Sequence, residues 1–267
     1  MKVAGIGDNV IDRYMNMGIM YPGGNAVNVA AHASRLGARA AYVGSIGADR
    51  EGRIIRDALT ALHVDLSQCI FHEDSTTKKC DVNVYDGERD YIGADEGKNW
   101  AHTTRIRDCD VDYLRDFDVV HTSCNAKLHE DVHKLQDLPA MVTFDFSVKD
   151  KYRTHEFLEL TCPYLELGQF SCEHMETDAI RELMQKVYGH GCRNVVATMG
   201  ERGQMFYNGR EFVEGKARYV KALDTMGAGD SYIAGFLFGL LRGKSIPDCM
   251  ALGAQSSSVT LQYSGAW

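Results

Sequence analysis

The stretch DTMGAGD at residues 224–230 decides the fold, because it joins a turn of small residues to a carboxylate. Apolar residues recur after it at helical spacing, at positions 233, 236, 237, 240 and 241,. We therefore predict that residues 227–230 form the first turn of a buried helix. The free amides and the dipole of such a turn favour an anion such as phosphate.

The carboxylate of Asp230 would then stand beside the bound anion. Its charge has the wrong sign for binding phosphate, yet it suits taking a proton from a hydroxyl that attacks the phosphate. The alternative is an ordinary glycine-rich helix start with Asp230 as a cap. From this segment alone, both a catalytic role and a capping role of Asp230 remain open.

Composition limits the classes of protein that the chain can belong to. Its 267 residues fit one α/β domain with a small appendage,. The net charge of −8 argues against nucleic acid or an anionic membrane as a main partner,. An acid at position 8 comes too early for a signal peptide, and the apolar run 233–241 is too short to cross a bilayer,. Eight cysteines without a Cys-x-x-Cys pair favour reduced thiols in the cytoplasm,.

Strand and helix patterns alternate along most of the chain, which predicts a mostly parallel sheet with helices on both faces. The predicted strands are 3–7, 41–46, 119–123, 141–146, 164–167 and 195–199, and the predicted helices include 25–36, 54–62 and 180–188. Two strand-like segments, 14–21 and 76–92, lack following helices, and we predict that they form a β lid over the site,. We expect a single domain over 1–267, with its lid from about 12–22 and 72–100.

A second group of polar residues lies in DNVID at 8–12 and GGNAVNVA at 23–30. Carboxylates and amides at strand ends supply directional acceptors and donors for a polyhydroxylated ligand, and paired glycines let backbone approach it. Capping and turn formation are the alternative for each residue. The candidates for sugar binding are Asp8, Asp12, Gly23, Gly24, Asn25 and Asn28.

Three further segments have both a functional and a structural interpretation. TMGERG at 198–203 follows a predicted strand, where nucleotides dock, but also fits a plain turn,. VGSIGAD at 43–49 could shape the substrate wall or only turn the chain. HEDVH at 129–133 matches a zinc-protease pattern, but we expect an amphipathic helix there without zinc, since no third ligand has a recognisable spacing,.

Taken together, GGNAVNVA, the glycine turn at 44–52, TMGERG and DTMGAGD resemble the ribokinase-like family of carbohydrate kinases. Their order and spacing cover nearly the whole chain, and DTMGAGD is highly specific for the family. The opening GDNVID, the segment FDFS at 144–147 and QYSGAW at 262–267 are most similar to bacterial fructoselysine 6-kinases.

The resemblance implies a Rossmann-type three-layer α/β sandwich with a mostly parallel sheet and a small β lid. It implies ATP and Mg²⁺ as cosubstrates, activation by K⁺ in some members, and a homodimer through the lid. It makes Asp230 the base and gives the anion hole to Gly227, Ala228 and Gly229. The nucleotide site that it implies contains Thr198, Gly200, Gly203, Thr225, Gly227, Gly229 and Ser257.

Two metal assignments also follow from the resemblance. Asp224 belongs to a loop that often holds a monovalent cation in this family. The family's Asn-x-x-Glu motif, which organises metal and phosphates, corresponds here to QFSCEH at 169–174. Glu173 keeps an acid for Mg²⁺ in that region, whereas the Asn is absent.

The sequence therefore favours an ATP-dependent sugar kinase that phosphorylates a primary hydroxyl, the 6-hydroxyl of fructoselysine or a related fructosamine. Two alternatives remain at this point. One is a kinase of the same family that acts on ribose, fructose or a keto-deoxy acid. The other is a sugar-binding relative without turnover, against which the intact Asp230 argues.

Overall fold

A computed structural model describes residues 1–98 and 105–267. Within these ranges the chain forms thirteen strands and seven α-helices. The strands are β1 (Lys2–Gly7), β2 (Val10–Tyr14), β3 (Ile19–Gly23), β4 (Arg39–Gly47), β5 (Ile70–His72), β6 (Lys79–Tyr85), β7 (Glu88–Asp95), β8 (Val119–Ser123), β9 (Met141–Asp145), β10 (Leu167–Ser171), β11 (Val195–Thr198), β12 (Gln204–Tyr207) and β13 (Phe212–Gly215). The helices are α1 (Asn25–Arg35), α2 (Arg50–Ala61), α3 (Asp108–Leu114), α4 (His155–Thr161), α5 (Thr177–Gly189), α6 (Ala228–Leu241) and α7 (Ile246–Thr260).

Nine of the strands form one sheet in the order β13-β12-β11-β10-β9-β8-β1-β4-β5. The pairs from β11 to β5 are parallel, and only β12 and β13 join antiparallel at one edge. The carboxyl ends of β1, β8, β9 and β10 therefore lie side by side. Ligands of open α/β sheets bind outside these ends.

Helices cover both faces of this sheet, because successive side chains of a buried parallel strand point to opposite sides. Ala4 and Ile6 of β1 pack in a core with Leu114 of α3 and Leu158 of α4. Val3, the residue before Ala4, packs in a second core with residues of α1, α2, α6 and α7. The two cores give three layers, as the sequence predicts.

The other four strands form a separate sheet in the order β3-β2-β6-β7. The pairs β2/β3 and β6/β7 are antiparallel, and a turn at Asp86 and Gly87 joins β6 to β7. This sheet lies in the segments predicted as a lid, although residue 72 belongs to β5 of the main sheet. Positions 99 and 100 of the predicted lid lie outside the described residues.

Three local predictions are wrong. The strand-like segment predicted at 14–21 is interrupted by a turn at 15–18, which joins β2 to β3. The strand predicted at 164–167 is β10 at Leu167–Ser171, because residues 162–164 form a 3₁₀ turn that contains Pro163. No α-helix forms over 129–133; Val132–Leu135 is a short 3₁₀ helix, although Leu128, Val132 and Leu135 are buried as expected. Within the described ranges, no helix is long and apolar enough to span a membrane.

Candidate active site

The candidate site lies where α1 and α6 begin, next to the carboxyl ends of the central strands. Asp8 follows β1, while Ser123 and Asp145 are the last residues of β8 and β9 and pair in register. Asp230 is the third residue of α6. Four polar side chains that are far apart in sequence are thus brought to one edge of the sheet.

Gly227 caps the start of α6 in the left-handed conformation, with φ of 72°. A Cβ atom there would lie 2.4 Å from the carbonyl oxygen of Ala266, so both the backbone angle and the space require glycine,. The helix itself begins at Ala228, one residue later than predicted. The Ala228 N–H donates to the Thr225 carbonyl over 3.5 Å, at the limit of a hydrogen bond, so this amide is only weakly held,.

Asp230 is buried and accepts two hydrogen bonds from side-chain amides of α1. Asn25 Nδ2 donates to its Oδ1 over 2.8 Å, and Asn28 Nδ2 donates to its Oδ2 over 2.7 Å. Burial raises the pKa of Asp230 to about 6, although these two hydrogen bonds act in the opposite direction. The negative charge of Asp8 raises this pKa further, while Arg89 lowers it. A carboxylate with this pKa is ionised at pH 7 yet remains a competent proton acceptor.

Asp145 is a buried acid of this site that the sequence analysis quotes within FDFS but does not assign. Its Oδ2 accepts from Asn25 Nδ2 over 2.9 Å, and its Oδ1 accepts from the Ser147 N–H over 2.6 Å. Burial, and then the charge of Asp230, raise the pKa of Asp145 to about 7. Its position could have been recognised from the sequence, because it is an acid at the end of a predicted strand, as Asp8 is.

The side chains of Asn25 and Asp8 form hydrogen bonds to other groups of the protein. The Asn25 NH₂ group bridges the two acids at 145 and 230, and its Oδ1 accepts from Asn125 Nδ2 over 2.7 Å. Asp8 accepts from the Asn25 N–H over 3.0 Å and from Ser123 Oγ over 3.1 Å. Both residues were predicted to bind sugar; the structure places them where they hold the start of α1 and orient the acids.

Asp12, on β2, has a different environment. Its side chain is 4% exposed, and its carboxylate has no hydrogen-bond partner among residues 1–98 and 105–267. It lies against the backbone of Gly23, where a Cβ atom would come within 2.4 Å of its Oδ2. Burial raises the pKa of Asp12 to about 7, opposed by the charge of Arg89. A buried acid without a partner is available to a ligand hydroxyl. Gly24, next to Gly23, is the cap of α1.

Arg89 of the lid was not predicted. It is exposed on β7, and its Nε donates to Thr225 Oγ1 over 3.3 Å, while Nη1 lies 3.0 Å from Met226 Sδ. The lid therefore brings a positive charge to the loop that precedes the glycine turn. No local pattern marks this arginine, because it occupies an ordinary hairpin position.

Asp224 is fully buried and accepts three hydrogen bonds. The Tyr14 hydroxyl and the Gly265 N–H donate to Oδ2, the latter over 2.8 Å, and the Met226 N–H donates to Oδ1 over 2.9 Å. Asp224 thus ties the lid strand β2 and residue 265 to the loop before α6. These donors occupy most of its lone-pair positions, and the monovalent-cation site stays a prediction.

The residues predicted to bind nucleotide lie on the β11 side of the turn. Thr198 ends β11, and Gly200 and Gly203 flank a 3₁₀ turn, while Ser257 lies partly buried on α7. The exposed Glu173 faces this turn: a Cβ atom on Gly200 would lie 2.5 Å from its Oε1. In the part of the chain that the structure describes, no three His, Cys, Asp or Glu side chains are grouped to hold a metal ion.

Gln169 stands in the region that corresponds to the Asn-x-x-Glu motif. It is 1% exposed, its Nε2 donates to the Gly229 carbonyl over 3.1 Å, and its Oε1 has no partner among the described residues. Gln169 therefore supports the first turn of α6 from β10. Gln169 lies in the segment QFSCEH but was not among the predicted site residues, and its place on β10 went unrecognised because the strand was expected at 164–167.

Comparisons of the sequence with known proteins place the chain among carbohydrate kinases. A model described as pfkB family carbohydrate kinase matches residues 10–145 and 160–267. The chain is 32% identical over 265 residues to the fructoselysine 6-kinase of Shigella flexneri, with 99% of each chain covered. It is 30% identical over 271 residues to the fructosamine kinase FrlD of Bacillus subtilis (strain 168), covering 100% of this chain and 93% of that one.

The fold is also similar to that of a solved sugar kinase. Aminoimidazole riboside kinase from Salmonella enterica, solved with aminoimidazole riboside and an ATP analog, superposes with a TM-score of 0.80 at 20% identity, covering 100% of this chain and 95% of that chain. The ribokinase-like fold and the sugar-kinase class predicted from the sequence are confirmed. The chain belongs to the pfkB family of carbohydrate kinases.

Proposed function

We propose that this protein is an ATP-dependent kinase that transfers the γ-phosphoryl group to the 6-hydroxyl of fructoselysine or a related fructosamine. The substrate class is supported by the two kinases named above, one acting on fructoselysine and the other on a fructosamine. The observation that carries the mechanism is Asp230, a buried carboxylate in the first turn of α6 with a pKa of about 6.

Asp230 accepts the proton of the attacking hydroxyl. Each of its oxygens already takes one amide hydrogen bond, which fixes the carboxylate plane and leaves a further lone pair on each oxygen,. Because burial is the main cause of its raised pKa, neutralisation by a proton is favoured at the moment of transfer,. The hydroxyl thus becomes a better nucleophile beside the phosphoryl group.

The backbone of residues 227–229 faces the phosphoryl group. The amides at a helix start point outward, and the dipole of α6 adds positive potential there. Charge that develops on the transferring phosphoryl is stabilised by such fixed donors without reorganisation. Arg89, hydrogen-bonded to Thr225 just before the turn, adds a positive charge from the lid.

Asp12 is the proposed sugar-binding residue. Its buried carboxylate, on the lid strand β2 and against the backbone of Gly23, has no partner among the described residues, so a sugar hydroxyl can satisfy it. Asn25 and Asn28 act on the same ligand through Asp230.

ATP lies along Thr198, Gly200, Gly203, Thr225 and Ser257 in this proposal. Mg²⁺ in kinases is bound by one or two carboxylates and the substrate phosphates. A single exposed carboxylate against the nucleotide turn, Glu173, fits that donor set. The ion supplies charge neutralisation of the triphosphate when bound. No step is assigned to K⁺, because Asp224 is engaged by three protein donors.

We also propose a homodimer through the lid and a cytoplasmic location. The lid exposes apolar side chains, among them Met15, Met17, Tyr91 and Ile92, and such a patch favours a protein partner,. All eight cysteines are free thiols, as in a reducing compartment,. Light scattering over a protein concentration series tests the dimer, which a constant monomer mass would rule out.

A coupled ADP-release screen with fructoselysine, glucoselysine, fructose, ribose and keto-deoxygluconate tests the substrate. We expect the highest kcat/KM for fructoselysine, because its amino-acid part adds binding energy that closes the lid. Equal or better turnover of fructose or ribose would reject a fructosamine as the substrate but would not reject the sugar-kinase activity. No ADP release with any sugar would favour a binding protein without turnover.

A further inference from the structure

A hydrogen-bonded chain reaches Asp230 from residue 267. The indole Nε1 of Trp267 donates to Asn28 Oδ1 over 2.8 Å, and Asn28 Nδ2 donates to Asp230 Oδ2 over 2.7 Å. An indole N–H can only donate, so the Asn28 atom that faces it must be the oxygen. The NH₂ group of Asn28 is then directed to the carboxylate.

We propose that Trp267 is a positioning residue for phosphoryl transfer: its indole N–H fixes the orientation of the Asn28 amide so that the amide donates to Asp230. This inference rests on the proposed role of Asp230 as the base. Without the indole N–H, the Asn28 amide keeps only its bond to Asp230 among the described residues, and its side chain is free to rotate away from the geometry that donates to the carboxylate,.

The segment that carries Trp267 is held at two further points. His32 Nε2 and the Ala266 carbonyl are 2.8 Å apart, and the Gly265 N–H donates to Asp224 over 2.8 Å. Burial lowers the pKa of His32 to about 4, so its ring is neutral and Nε2 carries the proton for this bond,. Ala266 is fully buried and its carbonyl lies against Gly227. Residues 265–267 therefore pack directly behind the catalytic turn.

His32 and Asn28 lie one helical turn apart on α1, and Asn25 lies nearly one turn before Asn28,. One stripe of this helix thus binds both the 265–267 segment and the acids. The arrangement couples the position of Trp267 to Asp230 through a single rigid element. A role confined to packing would not require the indole nitrogen to point at Asn28.

The expected electrostatic effect has a definite sign. The Asn28 hydrogen bond lowers the pKa of Asp230, so its loss raises that pKa and moves the acidic limb of the kcat profile to higher pH,. The groups that face or influence Asp230 from the surrounding elements are Asp8, Asp12, Asn25, Asn28, Arg89 and Asp145. None of them is changed by a substitution at Trp267.

The test is Trp267→Phe, which keeps an aromatic ring and removes the donor. We expect kcat to fall about 5- to 10-fold, the effect of one hydrogen bond, with both KM values within about twofold and the acidic limb at higher pH. The matched control is Tyr263→Phe. It removes a hydroxyl that bonds Arg35 and Thr260 in the same region but has no bond to the acids, and its kcat should match wild type.

A double-mutant cycle separates positioning from packing. In an Asn28→Ala background, Trp267→Phe should cause no further loss of kcat, because the hydrogen-bonded chain from Trp267 to Asp230 is already interrupted. An unchanged kcat and pH limb in Trp267→Phe would overturn the proposal, as would the same loss in both backgrounds. If Asp230→Asn retains wild-type turnover, the assignment of the base fails instead, whatever Trp267→Phe shows.

A measurement on the wild-type protein covers the case in which Trp267→Phe does not fold. The chain has two tryptophans, so a Trp100→Phe variant assigns the ¹⁵N–¹H indole signal of Trp267. This signal should shift with pH near 6 and stop shifting there in Asp230→Asn. An indole signal that is insensitive to pH in this range would overturn the proposal that Trp267 is coupled to Asp230 through Asn28.

Discussion

Replacing Asp230 by Asn removes the proposed proton acceptor and keeps the size of the side chain. We expect kcat to fall by about 10²- to 10⁴-fold, the range of general base catalysis, which corresponds to about 3 to 5 kcal/mol in the barrier. The KM for ATP should hold or decrease, because a negative charge beside the phosphate site is lost.

The structure indicates that this variant will fold. Both oxygens of Asp230 accept a hydrogen bond, whereas Asn has one acceptor, so one amide would face another N–H at a cost of about 1 to 3 kcal/mol,. Against this, raising the pKa of Asp230 from 3.8 to about 6 costs the wild type about 3 kcal/mol at pH 8, which Asn does not incur,. The two effects nearly cancel, so Tm should change by only a few degrees.

The sign of the pH dependence follows from the same shift. A carboxyl whose pKa is raised in the folded state stabilises the protein most below pH 3.8, and this contribution is lost as pH rises through about 6,. The Tm of Asp230→Asn relative to wild type should therefore be higher at pH 8 than at pH 4. In wild type, the acidic limb of kcat/KM should have an apparent pKa near 6,.

The assay is coupled ADP release at saturating sugar and ATP, with Tm measured on the same samples. Asp248→Asn is the matched control, since Asp248 is also the third residue of its helix, α7, but is exposed and bonded to Ser245. This control should turn over like wild type. A folded Asp230→Asn protein with near-wild-type kcat would refute the assignment of the base and favour the capping role.

Four further predictions have distinct outcomes. Gly227→Ala should lower stability by about 1 to 3 kcal/mol in thermal unfolding, because φ is 72° and a methyl group would lie 2.4 Å from a carbonyl oxygen,; an unchanged Tm would contradict this. Asp12→Ala should raise the KM for sugar about 10- to 100-fold with little change in the KM for ATP; equal rises in both would exclude sugar binding. Asp145→Asn should raise Tm at pH 8 but not at pH 5, since stability from an acid with a pKa raised to about 7 is lost as pH rises through that value,. His129→Ala and His133→Ala should leave kinase activity nearly unchanged, and loss of stoichiometric zinc together with activity would contradict the expectation of no zinc.

Sequence patterns predicted the fold best where a strand begins with consecutive β-branched apolar residues. β8 has the predicted bounds, 119–123: its sequence VVHTS starts with two valines, and all five residues are buried in a central parallel strand,. β10 was misplaced because its sequence LGQFS contains a glycine, a glutamine and a serine. Gln169 donates from β10 to the Gly229 carbonyl of α6, so the exception to the apolar pattern lies at the candidate site,.

The site was predicted by residue type but not by partner. Asn25 and Asn28 were expected to bind sugar, yet their nearest acceptor, Asp230, lies more than 200 positions away in sequence. An Asn in a glycine-rich helix start carries no signal for which side chain it will meet. Arg89 and Trp267 were missed for the same reason, since both reach the site through tertiary contacts.

The placement of charge explains how a chain with a net charge of −8 can bind a triphosphate. The acids 8, 145 and 230 are buried near the strand ends and α1, where neutral amides and a hydroxyl satisfy them, and Asp12 is buried on the lid strand β2. Positive potential comes from backbone amides at the start of α6 and from Arg89 of the lid,. Because Asp230 lies in the same helical turn as those amides, the proposed mechanism handles the hydroxyl proton and the phosphoryl charge within one turn of α6. Small errors in that turn would separate base from phosphate, which accounts for its support by Gln169 from β10 and by residues 265–267 from behind,.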